Sequence, residues 1–272
     1  MVLPLGDLQP TRITPFVTYA LIAINVVMYV VQVDRGEDFK FALAATPWEI
    51  THNRDIDEPI VNPQQAVRVQ DPRDPFGERI PANAPPDVIP HAPCPIPIWL
   101  TLFTSMFLHG SPMHLAGNML YLWIVGDNVE EVLGEVRYLI VYLACGLAGS
   151  LLQIAAAPNS MIPTLGASGA IAGIMGAYVV WFPHNQIRVL VFRFITVLPA
   201  VVVIGGWIVL QIYLGSQAFG KMGESGGVAY LAHVGGAATG ILVALLFYNR
   251  AQYIKAMDAH LQGWQTSPYQ GY

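Results

Sequence analysis

Four polar side chains interrupt the apolar stretches of this sequence, and their types could carry out nucleophilic chemistry. His114 and Asn118 are four residues apart, so on a helix they share one face. Ser168 lies in the segment GASGAIAG, and His233 lies in the segment AHVGGAATG. A serine that can pass its hydroxyl proton to a histidine is an activated nucleophile. Because residues 225–249 contain no Asp or Glu, we expect a Ser–His dyad rather than a Ser–His–Asp triad.

Each of these residues also has a structural interpretation. A serine in a membrane helix often bonds back to its own helix, and a buried histidine is often a satisfied interior group. The hypothesis of a reactive site depends on the joint occurrence of three polar positions at one depth of the protein. Ionisable side chains at membrane depth are costly and are therefore functional candidates.

The composition indicates a membrane protein. Of the 272 residues, 54% are hydrophobic and only 11% are charged, whereas soluble domains carry about 25% charged residues. The net charge of -5 and the lack of a basic cluster exclude nucleic acid as a partner. Two cysteines, Cys94 and Cys145, provide no disulfide framework. The lipid bilayer is the expected environment.

Charge-free stretches, divided at clusters of Pro, Gly and Asn, predict an all-α polytopic membrane protein with six transmembrane helices. A spanning helix needs roughly 20 apolar residues. The first stretch is longer than the apolar core of a signal peptide, about 7–15 residues, so we expect it to be retained. The predicted helices cover residues 14–33, 112–133, 137–157, 167–182, 196–214 and 228–249.

Lys and Arg near the helix ends predict the orientation. With the N-terminus inside, the inner segments hold six basic residues and the short outer loops hold only Lys221. We therefore expect a cytoplasmic N-terminus (1–13), a six-helix membrane domain (14–250) and a cytoplasmic C-terminal tail (251–272).

Residues 34–98 form a long, Pro-rich first outer loop in this topology. They contain twelve of the 21 prolines and eleven of the eighteen acidic residues. This density of proline favours extended, polyproline-like chain over a helix or a central strand. We interpret the loop as a solvated surface segment, with contact to a substrate or regulation as the alternative. Residues 97–107 turn apolar and aromatic again, and are predicted to lie in the outer interface of the bilayer.

Glycines predict how the polar side chains meet. Small residues at helical spacing let helix backbones approach closely in lipid. Packing of the fourth helix on the sixth would bring Ser168 within hydrogen-bond reach of His233. The glycines concerned are Gly169, Gly173 and Gly176 on the fourth helix and Gly236 and Gly240 on the sixth.

Three motifs, in this order and each in the appropriate helix of six, resemble the rhomboid family of intramembrane serine proteases. They are H-x-x-x-x-H-x-x-x-N from His109, G-x-S-G around Ser168 and A-H-x-x-G-x-x-x-G around His233. The resemblance covers the chain from about residue 99 to residue 249. The block 104–134 is most similar to bacterial members.

The resemblance implies a serine endopeptidase that cleaves the transmembrane segments of single-span membrane proteins, without a metal or other cofactor. It implies Ser168 as the nucleophile and His233 as the general base. It further implies an oxyanion hole formed by His114, Asn118 and the backbone N–H of Ser168. Glu130 matches a structural acidic position at the inner end of the second helix. The implied location is the bacterial inner membrane, with an active site that opens to the outer side.

Alternatives from other classes are a catalytically silent rhomboid-like binding protein and a transporter. The presence of both Ser168 and His233 favours the enzyme. A zinc protease would need the motif H-E-x-x-H, which does not occur, and an intramembrane aspartyl protease would need two embedded aspartates, of which only Asp127 comes close. Ala172 departs from the family pattern, because it stands where an aromatic ring can stack on the catalytic histidine.

Overall fold

The described part of the chain is a bundle of helices with a small β-sheet at one end. A computed structural model describes residues 2–9, 11–61, 88–218, 229–252, 254 and 256. In chain order the elements are β1 Val2–Asp7, α1 Phe16–Arg35, α2 Glu37–Ala42, α3 Pro47–His52, β2 Ile60–Val61, β3 Val88–Ile89, α4 Ile98–Phe107 (mixed 3₁₀ and α), α5 Pro112–Leu133, α6 Glu135–Ala156, α7 Ser168–Trp181, β4 Gln186–Val191, β5 Phe194–Pro199, α8 Gly206–Ala218 and α9 Tyr230–Leu246.

Two helices, α1 and α6, are long and apolar enough to cross a bilayer. The apolar helices α4, α7, α8 and α9 are shorter. The bounds of α5 coincide with the predicted second span, and α1, α6 and α7 lie within two residues of their predicted positions. The mostly helical architecture is therefore confirmed, whereas the number of six spans stays a prediction.

The prediction of an all-α chain was wrong at one end of the bundle. Strands β1, β4 and β5 form an antiparallel sheet in the order β1-β4-β5. Residues 196–199, assigned to the fifth predicted span, lie in β5, and the helical chain begins with a π-turn, Val201–Gly205, that leads into α8. The hairpin is closed by the two residues Phe192 and Arg193, of which Phe192 has a left-handed φ of 53°. Four of the five residues that precede Pro199 in β5 are aromatic or β-branched, so this apolar segment favours a strand.

Strand β1 falls in the predicted N-terminal tail and is fastened to the bundle by Asp7. One carboxylate oxygen of Asp7 accepts hydrogen bonds from the Tyr178 hydroxyl (2.8 Å) and from Asn128 Nδ2 (2.9 Å). Burial raises the pKa of Asp7 to about 7; the Tyr178 hydrogen bond opposes this rise, and the neighbouring Asp127 adds to it. The sheet is thus joined to the C-terminal ends of α5 and α7.

Glu130 secures the start of α1 at the same end of the bundle. It is fully buried, and its two oxygens accept from the backbone N–H groups of Val17 (2.9 Å) and Thr18 (2.8 Å) and from the Thr18 hydroxyl (2.7 Å). The first N–H groups of a helix lack partners within the helix, and a negative charge there also favours the helix dipole. This contact agrees with the structural role that the resemblance implied.

The described part of the predicted outer loop, residues 34–61 and 88–98, contains helices that its proline content did not predict. Helices α2 and α3 lie within residues 34–61, so the expectation that the whole loop is extended was wrong there. Pro47 is tolerated because it occupies the first turn of α3, where no backbone N–H is needed. Residues 62–87, which hold six of the twelve prolines of this loop, lie outside the described residues. At the opposite side from the sheet, the segment packs on the chain that precedes α7, through Trp48 N to Ser160 O (3.0 Å) and a β-bridge of Ala45 with Thr164.

The close approach of α7 and α9 confirms the packing that the glycines predicted. A Cβ atom on Gly236 would overlap the carbonyl oxygen of Gly169, and one on Gly240 would overlap that of Gly173. Helix α6 approaches α9 in the same way, since a Cβ on Gly149 would overlap a carbonyl of that helix. The backbones of α7 and α9 are therefore in direct contact, and this contact sets the distance between the side chains at their N-terminal ends.

Candidate active site

Ser168 and His233 meet at the N-terminal ends of α7 and α9. Ser168 is the first residue of α7, and His233 lies in the first turn of α9. The Ser168 Oγ is 2.7 Å from His233 Nε2, which is a hydrogen-bond distance. The backbone N–H of Ser168 belongs to the first turn of a helix, where N–H groups have no intrahelical acceptor and the dipole favours negative charge.

The other ring nitrogen of His233 contacts an amide oxygen. Gln211 Oε1, on α8, is 2.7 Å from His233 Nδ1, and both side chains are buried. Because an amide oxygen only accepts hydrogen bonds, Nδ1 carries the proton and Nε2 is left as the acceptor. That tautomer is the one needed to receive the proton of Ser168.

Helix α8 also provides an aromatic neighbour for the histidine. The ring centroid of Trp207 lies 5.4 Å from that of His233, with the planes tilted by 38°. Ala172, the position at which the resemblance would place a ring, is buried, and Trp207 brings a ring to the histidine from a different helix. Sequence reasoning missed both α8 residues. Their spacing of four places Trp207 and Gln211 on one helix face, but the sequence does not indicate which neighbour this face contacts.

His114 packs against the loop that leads into Ser168. Gly166 has a φ of 128°, and a Cβ atom there would lie 2.9 Å from His114 Cε1 and 3.0 Å from Nε2. Glycine is therefore required at this position both by its backbone conformation and by the imidazole beside it. The Gly110 N–H is 3.4 Å from His114 Nδ1, an arrangement that leaves the hydrogen on Nε2.

Asn118 is held by His109, a residue to which the sequence assigned no role. Asn118 Nδ2 lies 2.9 Å from His109 Nε2, and the His109 ring is fully buried. Gln32 on α1 binds both backbone groups of His109, accepting from its N–H (3.0 Å) and donating to its carbonyl. One amide hydrogen of Asn118 is thereby used, and the second is left for another acceptor.

Comparison with known proteins places the chain in a family. The rhomboid domain matches residues 97–250, which is more than half of the chain. The chain belongs to the rhomboid family. It is therefore an integral membrane protein.

Individual relatives cover parts of the chain. Rhomboid protein 1, mitochondrial, of Saccharomyces cerevisiae is 31% identical over 147 residues, 53% of this chain and 40% of the relative. Rhomboid protease GluP of Bacillus subtilis is 46% identical over 79 residues, 29% of this chain and 15% of the relative. The presenilin-associated rhomboid-like protein, mitochondrial, of Mus musculus is 29% identical over 164 residues, 57% of this chain and 41% of the relative. The chain spans less than half the length of each of these relatives. Since they come from a bacterium, a yeast and a mouse, the bacterial type of this rhomboid stays a prediction.

The matched rhomboid domain contains all four residues that the sequence singled out, and also Gln211. The contact made by Gln32 comes from α1, outside the matched residues. Within the described ranges, no group of three or more His, Cys, Asp or Glu residues could hold a metal ion.

Proposed function

We propose that this rhomboid is a serine endopeptidase that cleaves the transmembrane segments of single-span membrane proteins within the bilayer. The observation that carries the proposal is the 2.7 Å contact between Ser168 Oγ and His233 Nε2. Support also comes from family membership and from the similarity to a relative named as a rhomboid protease.

The proposed reaction has two steps of acyl transfer. Ser168 Oγ attacks the carbonyl carbon of the scissile bond while His233 Nε2 takes the hydroxyl proton, and the same nitrogen then gives this proton to the leaving amine. Water, deprotonated by His233, next attacks the acyl-enzyme; Nε2 returns its proton to Ser168 Oγ, and the carboxylic acid leaves.

The negative oxygen that develops in each step needs preorganised donors. We assign this role to the Ser168 backbone N–H, His114 Nε2–H and the second amide hydrogen of Asn118. In soluble serine proteases one such donor contributes about 3 kcal/mol to the transition state. His109 and Gln32 act as positioning residues, because they hold Asn118 rather than the reacting atoms.

We further propose six spans with both termini in the cytoplasm and a site that opens to the outer side, in a bacterial inner membrane. Helices α5, α7 and α9 all begin at the site end of the bundle, as the second, fourth and sixth spans of such a topology would. The outer segment packs at this end, and the sheet lies at the other. Water for the second step would enter from the outer side.

Labelling with a fluorophosphonate and cleavage in liposomes test the proposed function together. We expect the purified protein to be labelled at Ser168 and to cleave members of a panel of single-span membrane proteins. The exposed Ser216, replaced by alanine, is the matched control and should leave both results unchanged. A folded protein that neither reacts nor cleaves any substrate would instead be a silent rhomboid-like binding protein or a transporter.

Gln211→Leu is expected to lower kcat by roughly 10- to 100-fold with little change in KM. Removal of the amide leaves His233 Nδ1–H without its acceptor, so the productive tautomer and ring orientation are no longer favoured. The loss is smaller than the roughly 10⁴-fold loss for the aspartate of a serine-protease triad, because the amide is neutral. Steady-state cleavage of a liposome-embedded substrate as a function of pH measures both constants.

The exposed Gln217 on the same helix provides the control for this change. Gln217→Leu removes an amide of equal size and should leave kcat and its pH profile unchanged. Gln211→Glu retains an acceptor, so it should recover part of the activity with a kcat pH profile moved to higher pH, because a carboxylate stabilises the imidazolium. A Gln211→Leu enzyme with the kcat of the unmodified protein would remove Gln211 from the mechanism.

A further inference from the structure

The β4–β5 hairpin exposes apolar side chains at the end of the bundle away from Ser168. Phe192 is 81% exposed, Phe194 77% and Ile195 65%. We call these three residues, with the exposed Arg193 between them, the hairpin tip. Strand β5 is an edge of the sheet, and a water-facing edge of this composition would favour aggregation. We therefore expect another surface to cover the hairpin tip.

The hairpin lies close enough to the ends of the apolar helices to contact the bilayer that surrounds them. It follows α7 after only four residues and leads through the π-turn into α8, so its base lies at the ends of two apolar helices. Six-residue strands extend about 20 Å, which allows the tip to lie beside these helix ends along the membrane surface.

The turn itself holds an aromatic residue in an unfavourable conformation. Phe192 has a φ of 53°, in a region that Gly or Asn occupies at lower cost in hairpin turns. A large exposed ring at this position contributes nothing to the protein core. Its side chain is therefore better explained by a contact outside the chain.

The charge of the hairpin selects the kind of contact. Its two charged residues, Arg188 and Arg193, are exposed, and no Asp or Glu occurs in residues 136–223. Among the described residues neither arginine forms an ion pair. Aromatic rings beside arginines suit the interface of a bilayer, where the rings enter the acyl boundary and the guanidinium binds anionic phosphates.

We propose that the hairpin tip inserts into the headgroup region of the bilayer that holds the helices, with Arg193 on anionic lipid. The insertion anchors the connection between α7, which carries Ser168, and α8, which carries Gln211. This inference does not depend on proteolysis. The competing occupant is a second copy of the chain paired along β5.

An environment-sensitive fluorophore at position 192 tests the proposal. Phe192→Cys, in a background of Cys94→Ser and Cys145→Ala, is labelled with a nitrobenzoxadiazole dye and placed in nanodiscs with one copy each. We expect lipids with a quencher near the headgroup to quench the dye at least two-fold more than aqueous iodide does. The same dye on the exposed Arg54→Cys of the outer segment should show the reverse order.

Arg193 provides the test of lipid charge. Quenching at position 192 is expected to increase when a third of the phosphatidylcholine is replaced by phosphatidylglycerol. Arg193→Glu should abolish this increase, and Arg193→Lys should retain it. Iodide quenching without lipid quenching would overturn the proposal, as would a dye that is shielded only when two copies share a nanodisc. Thermal unfolding of each labelled protein checks that it is folded.

Discussion

Replacing either Ser168 or His233 by alanine is expected to reduce cleavage by about 10⁴- to 10⁶-fold while the fold is retained. In soluble serine proteases the nucleophile and its base act as one unit, so loss of one member removes nearly all of the contribution of both. The 2.7 Å contact between Oγ and Nε2 predicts the same behaviour here. The double variant should therefore be no less active than either single variant.

Initial rates of cleavage in liposomes measure this effect. His52, exposed on α3, is the control for the histidine change, and His52→Ala should leave the rate unchanged. Thermal unfolding of the purified variants separates a chemical effect from a folding defect. Substantial cleavage by a folded Ser168→Ala protein would refute the dyad and leave the family fold in place.

Gly236→Ala is expected to destabilise the protein by about 3 kcal/mol or more and to reduce cleavage at least 100-fold. The added Cβ would overlap the carbonyl oxygen of Gly169, the residue that follows Ser168. Backbone atoms cannot yield as a flexible side chain does, so α7 and α9 must separate. A displacement of about 1 Å at a reacting pair costs on the order of 10²-fold in rate.

Gly206 on α8 provides a matched control, because a Cβ atom there has no neighbour within 4 Å. Gly206→Ala should leave stability unchanged or raise it by up to about 1 kcal/mol, since alanine favours the helix. The midpoint of thermal unfolding and the cleavage rate are compared for the two variants. Equal midpoints and rates would mean that α7 and α9 do not touch where the structure brings them together.

Helix positions could be predicted from the sequence because the free energy of moving a side chain into lipid is large and depends mainly on the type of the residue. A charge inside the bilayer is so costly that charge-free runs mark the apolar segments, and the positions of α1, α6 and α7 were predicted to within two residues. The same approach failed at residues 196–199. The hydropathy of an apolar run is the same whether the run forms a helix or a strand. The pairing of β5 with β4 depends on a turn at Phe192, which hydropathy does not detect.

The candidate site also has a part that could be predicted from the sequence and a part that could not. The residue types of Ser168 and His233, and the glycines that let α7 approach α9, are local in sequence, so their meeting could be predicted from spacing alone. The contact of Gln211 with His233 could not, because it depends on which helix lies beside α9 and on the face that this helix turns towards it. Rotation of α8 about its axis is set by packing over its whole length, and no short stretch of sequence records the result. The sequence by itself thus determined the candidate pair and the close approach of its helices, whereas only the tertiary structure decided which side chains contact the histidine.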